Sequence, residues 1–195
     1  MSREKLANWI SDIFNPYYLS APFFFIISFA SSPTVFIGLI SWLVASLFFS
    51  VLPVWDIHRR VRLGLVGDVH VSSRRERVKP FIFSFCCAVL GLASIYLIGA
   101  TDAMKTVSWT VVITGAVITI ITAFWKISLH AAGISSVAAV LIALYGVRAL
   151  PVAFFVPVVL WARLTLKKHT PWQLLAGALV AAAIAIAVFW QFGLV

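Results

Sequence analysis

The chain has 195 residues, 63% of them hydrophobic and only 11% charged, with a mean hydropathy of +1.07. A soluble domain of that length could not bury so much apolar surface, so composition excludes a water-soluble fold and implies an all-α, polytopic membrane bundle. The net charge of +9 sits mainly in short connections between apolar stretches, where anionic headgroups and phosphates are better-matched partners than nucleic acid.

Residues 1–16 show no cleavable signal peptide. Leu6, Trp9, Ile10, Ile13 and Phe14 recur at helical spacing, with Asn8, Ser11 and Asp12 on the opposite face, which predicts an amphipathic helix lying in the membrane interface. Asn15-Pro16 ends it, because proline cannot continue the hydrogen-bond ladder. The remainder, 17–195, reads as a single transmembrane domain. Tyr17 to Ala30 is apolar but short, and Ser31-Ser32-Pro33 supplies the cap residues and proline that open a new helix.

A span needs about 20 apolar residues at about 1.5 Å each. Thr34 to Val54 meets that need, and a long polar loop from Trp55 to Lys79 follows. Further spans are predicted from Pro80 to Ala100, Val107 to Phe124, Ala131 to Val147, Pro151 to Leu166 and Trp172 to Phe192, about six in all besides the short first segment. The two cysteines, Cys86 and Cys87, are neighbours inside an apolar run and offer neither a structural disulfide nor metal-ligand spacing. Gly177 and the alanines 181–183 point to close helix packing. Trp55, Trp109, Trp125, Trp161 and Trp172 stand near span ends, as belt anchors do.

Counting segments puts three basic stretches on one membrane face: the one ending at Lys79, the one at Lys126 and the one at Lys167. The opposite face carries only Asp102, Lys105 and Arg148. The first stretch holds Arg59, Arg60, Arg62, Arg74, Arg75, Arg77 and Lys79, against Asp56, Asp68 and Glu76, which balance neighbouring arginines. His58 and His70 read as ordinary loop residues, and Lys167-Lys168 as a pair that snorkels to headgroups. The second stretch is Lys126-Ile127-Ser128-Leu129-His130. The third runs from Arg163 through five residues to His169, with Gln173 one helical turn later.

Ionisable residues at the edge of a membrane are costly to keep, so this cluster is the default candidate for function. Cations with a serine hydroxyl, two histidines and no carboxylate cage suit an anion, and guanidinium groups match phosphate oxygens in a planar fork. Histidine serves as nucleophile or general acid near neutral pH, so two of them suffice for a two-step phosphoryl transfer. A catalytic zinc site would ask for at least three ligands, and none is expected, nor any other cofactor.

Ser128-Leu129-His130 and Arg163-x5-His169 resemble the second and third motifs of the phosphatidic acid phosphatase type 2 superfamily, membrane lipid phosphatases related to vanadium-dependent haloperoxidases. The family pattern is Ser-Gly-His, then Ser-Arg-x5-His-x3-Asp, and the resemblance covers roughly residues 68–180. It implies that His169 is the nucleophile, His130 the general acid, and Arg163 and Ser128 the phosphate ligands. The first motif, Lys-x6-Arg-Pro, is nearest to Arg74-Arg75-Glu76-Arg77-Val78-Lys79-Pro80, with Lys79 where arginine is expected and Ser72 where the first lysine is expected. Phosphate would then be held by Arg77 and Lys79, helped by Arg74 or Arg75, with Lys126 beside Ser128. Leu129 stands in place of the glycine, Ala162 of the serine, and Gln173 of the aspartate that orients the nucleophile; its amide oxygen can still accept the Nδ1 proton.

The expected function is therefore hydrolysis of a lipid phosphate or diphosphate, of isoprenoid or phosphatidate type, without metal. Its rival is a non-catalytic phospholipid-binding or scaffold protein. A transporter ranks below both, since no charge lies deep in a span and no inverted repeat is evident. The excess of basic residues on the motif face places that face in the cytoplasm of a prokaryotic cell membrane, with the C-terminal Val195 outside.

Overall fold

The structure is a computed structural model and describes residues 2–71 and 73–194. Helices and turns account for all regular structure among them: α1 (Arg3–Ile13), α2 (Pro16–Ser31), α3 (Val35–Ser46), α4 (Leu52–Arg62), α5 (Arg74–Leu97), α6 (Asp102–Phe124), α7 (Leu129–Tyr145), α8 (Phe155–Thr165) and α9 (Pro171–Gln191). Among the described residues, five helical runs are long and apolar enough to cross a membrane: Val35–Arg62, Arg74–Leu97, Asp102–Phe124, Leu129–Thr165 and Pro171–Gln191. The pair α1 and α2 makes a sixth candidate if the two count as one broken span.

Two compact units form, one from residues 17–125 and the other from residues 1–16 with 126–195. In the first, a five-residue π turn (Leu47–Val51) joins α3 to α4 without a break. Pro53 follows it and has no N–H to give the carbonyl four residues back, that of Phe49; Ser20 Oγ donates to that oxygen instead, at 3.0 Å. The helix therefore runs on through Arg62, and the predicted long loop shrinks to the residues between Arg62 and Arg74. Arg59, Arg60 and Arg62 lie in the last turn of α4, where cations suit the negative helix end. Pro80, predicted to open a span, lies inside α5.

In the second unit α7 packs on both α8 and α9, and α1 packs on α8. The predicted spans 131–147 and 151–166 fall within one helical run, joined by a 3-10 stretch (Gly146–Phe154) instead of a loop. Gly146, at φ +60°, opens this stretch, and since α8 packs back against α7 the run is a hairpin. At about 1.5 Å per residue α8 covers only about half of a hydrocarbon core.

Helix α1 forms where the pattern predicts, but its buried stripe is Ala7, Ile10 and Ser11, while Trp9 is 60% exposed and Ile13 44%. Ser11, read from the pattern as part of the polar outer face, is turned inward instead. Arg3 lies over the Trp161 ring at 5.7 Å and Phe14 meets Phe155 with ring centroids 5.2 Å apart, so α1 is fastened along α8 in addition to its Ser11 contact. Gly133 takes the Pro16 ring directly above it; a Cβ there would come within 2.9 Å.

Candidate active site

Five of the residues singled out in the sequence meet at one end of α7, α8 and α9. Ser128 caps α7, its Oγ accepting from Ala131 N at 3.3 Å. His130 follows in the first turn of that helix, Arg163 closes the last turn of α8, and His169 stands in the turn before α9. Ser128 N donates to the Gln173 carbonyl at 3.2 Å, which ties the start of α7 to the start of α9. All but Gln173 are buried, Arg163 to 1% exposure.

The approach of α9 to α7 depends on Gly177. A Cβ at that position would lie 2.6 Å from the Ser128 carbonyl oxygen, a backbone atom with no room to retreat. The same oxygen receives the first hydrogen bond of α7, from Ala132 N at 3.0 Å.

Each histidine has one ring nitrogen against an acceptor oxygen. Thr170 and Gln173 form a capping box at the start of α9, in which Gln173 Oε1 accepts from the Thr170 N–H at 3.2 Å. That donor fixes which end of the amide is oxygen. His169 Nδ1 lies 3.2 Å from the same oxygen, so Nδ1 carries the proton and, in the neutral ring, Nε2 holds the lone pair. His130 is held the other way round. Its Nε2 is 3.1 Å from the Ser11 carbonyl, which can only accept, so Nε2 carries the proton and Nδ1 is the basic nitrogen.

Ser11 is the site residue that the motifs do not reveal. Its carbonyl accepts from His130, and its Oγ accepts from Arg163 at 3.3 Å. A serine in an amphipathic N-terminal helix, more than a hundred positions from either partner, carries no local signal of that role. The capping box does carry one: Thr-x-x-Gln before an apolar run marks a helix start, and it shows that Gln173 serves the helix as well as His169.

The residues of the remaining basic stretch belong to the other unit. Arg74 Nη1 donates to the Thr122 and Ala123 carbonyls and so caps the end of α6. Arg77 is buried, with Nε donating to the Val71 carbonyl at 2.6 Å. Arg75 and Lys79 are exposed on the first turns of α5. Glu76 and Asp68 serve the loop backbone: Glu76 Oε2 accepts from Gly67 N and Asp68 Oδ1 from His70 N, both at 2.9 Å. Asp56 pairs with Arg60. Lys126 is half-buried at the start of the segment that leads to Ser128. Ser72 and Val195 lie outside the described residues. Among those described, no three His, Cys, Asp or Glu side chains gather as a metal site would require.

The Ser11 contact has a measurable consequence. Arg163 is a buried cation, and removing a hydrogen-bond acceptor from such a group costs about 1–3 kcal/mol. Ser11→Ala should therefore lower the melting temperature in detergent by several degrees, while the His130 ring keeps its backbone acceptor; an unchanged melting temperature would show that the contact contributes nothing.

No protein-family model, curated protein or solved structure matches the chain.

Proposed function

We propose that this integral membrane protein is a phosphatase that removes phosphate from a lipid phosphate or diphosphate at headgroup level, through a phosphohistidine. The observation that carries the reading is the pair of buried histidines, each with a ring nitrogen against an acceptor oxygen, Nδ1 in His169 and Nε2 in His130, at the same helix ends as the buried Arg163. Orientation by a fixed acceptor is what a histidine nucleophile and a histidine acid–base each require.

In the first step the His169 Nε2 lone pair forms a bond to phosphorus as the bond from phosphorus to the leaving oxygen breaks. That oxygen takes its electron pair and a proton from Nδ1 of a His130 imidazolium, which keeps its Nε2 proton on the Ser11 carbonyl. In the second step His130 Nδ1 takes a proton from water while the water oxygen attacks phosphorus. The N–P bond breaks, its electrons return to Nε2, and phosphate leaves. Arg163 answers the charge on the non-bridging oxygens. Ser128, whose Oγ accepts from Ala131 N, retains its hydroxyl proton to donate to the same group. Arg75, Arg77 and Lys79 are assigned to phosphate by the motif resemblance alone, and Lys126 by its place in the basic stretch that leads to Ser128 and His130.

A second reading, a non-catalytic phospholipid-binding or scaffold protein, is favoured by Gln173. An amide orients the ring but does not stabilise an imidazolium as a carboxylate does. Phosphate release from a lipid phosphate in liposomes, lost in His169→Ala, decides for the enzyme; release that is absent, or that survives the substitution, decides against it.

Charge asymmetry supports a cytoplasmic site. In a Cys86→Ser, Cys87→Ser background, Arg148→Cys should react with an impermeant maleimide on intact cells and Lys167→Cys should not; the opposite pattern would place the site outside.

A further inference from the structure

The two histidines are held by elements of very different reach. His169 leans on Gln173, four residues away and part of the adjoining helix start. His130 leans on Ser11, 119 positions away, on a helix that side chains fasten to α8: Arg3 over the Trp161 ring, Phe14 against Phe155, and a buried stripe of Ala7, Ile10 and Ser11. The Ser11 carbonyl can serve His130 because α1 is ending there. In a continuing helix it would accept from Asn15 N, but that N–H donates to the Asp12 carbonyl, at 3.2 Å. Carbonyls of a last turn carry the negative end of the helix dipole and favour a neighbouring cation. Ser11 touches two groups that fit: the Arg163 guanidinium, through Oγ, and His130, which is an imidazolium in the first step of the reaction, through its carbonyl. His169 stands instead before the positive end of α9, which suits a neutral ring.

We infer that α1 is the positioning element of the acid histidine: its last turn holds the His130 ring in place to protonate the leaving oxygen, and it has no such hold on His169. The inference rests on the phosphatase reading for what His130 does, while the seat itself follows from the contacts of α1 with His130, Arg163 and α8. Shifting α1 on α8 withdraws the carbonyl from Nε2 and leaves the pairing of His169 with Gln173 intact. The resulting defect should copy the loss of His130, which is felt only when the leaving group needs a proton, and not the loss of His169, which stops every substrate.

The test displaces α1 in the full chain in detergent. Ala7 is fully buried, so the bulk added by Ala7→Leu must move the helix. Arg3→Ala with Phe14→Ala removes both ring contacts without adding bulk; it should show the same selective loss, and it decides the matter if Ala7→Leu does not fold. With hexadecyl phosphate, whose leaving alkoxide needs a proton, kcat should fall at least about tenfold; with nitrophenyl phosphate, whose leaving group is a weak base, it should fall less than about threefold. In a His130→Ala background Ala7→Leu should cause no further loss, because both changes remove one function. Ser11→Ala keeps the carbonyl and should leave the ratio between the two substrates as in wild type. Equal loss with both substrates overturns the inference, as does a loss that adds to that of His130→Ala, or a gain in activity, which would make α1 a cover over the site. Nitrogen-15 spectra of the histidine rings separate this inference from the phosphatase reading: Ala7→Leu should shift the His130 signals and leave those of His169 in place. A wild type that releases no phosphate yet shows that selective shift would uphold α1 as the seat of the His130 ring and overturn the phosphatase reading. His130 signals that stay in place would overturn the inference whatever the activity.

Discussion

His169→Ala should reduce phosphate release from a lipid phosphate to background, and His130→Ala should slow it at least about a hundredfold, the usual contribution of a positioned acid. The two losses differ in kind. Without His169 there is no atom to form the covalent intermediate, whereas without His130 attack can still occur and only protonation of the leaving oxygen is lost. His130→Ala should therefore recover part of its rate with a substrate whose leaving group is a weak base, such as a nitrophenyl phosphate, and His169→Ala should not. Neither side chain fills an apolar core position, so both variants should remain folded in detergent; wild-type turnover by His169→Ala would refute the nucleophile assignment.

The second large effect lies at Gly177. Glycine to alanine in the middle of a helix ordinarily stabilises by about 1 kcal/mol. Here the added Cβ meets the Ser128 carbonyl at 2.6 Å, and because that carbonyl starts α7 the clash cannot be relieved by turning a side chain. Overpacking of this kind costs about 1–3 kcal/mol, so Gly177→Ala should lower the melting temperature and Gly177→Leu should prevent normal packing of α9 on α7. Gly115 provides the contrast, since a Cβ there would find its nearest neighbour, Phe85 Cδ2, at 4.0 Å. Gly115→Ala should leave the melting temperature unchanged or raise it, and equal effects at both glycines would contradict the packing argument.

Helix class, the positions of the apolar runs and the grouping of Ser128, His130, Arg163, His169 and Gln173 were legible because each follows from local sequence: apolar length, motif spacing and segment parity. Gly177 was legible for the same reason, as a small residue in an apolar helix. What escaped depended on partners that no local pattern encodes. Arg74 reads as a phosphate ligand, and no local pattern shows that its Nη1 caps the carbonyls at the end of α6. The predicted span closes at Val54, but Ser20 satisfies the carbonyl that Pro53 leaves without a donor and the helix runs on to Arg62. Pro151 does separate two apolar stretches, but the chain turns there through a 3-10 stretch and gives a hairpin with one short arm. Ser11 is the sharpest case. Helical periodicity assigns it to the polar face, and it is polar, but its polar atoms are used inward, on His130 and Arg163.

The covalent intermediate is the most direct test of the whole account. The protein should be mixed with a lipid phosphate carrying labelled phosphorus, quenched within one turnover in alkali, where phosphohistidine survives and acyl phosphates do not, and digested for mass spectrometry. The account predicts phosphate on a single peptide, at His169, absent from His169→Ala and formed at reduced rate in His130→Ala. Turnover with no phosphorylated peptide, or phosphate carried by any other residue, would contradict it.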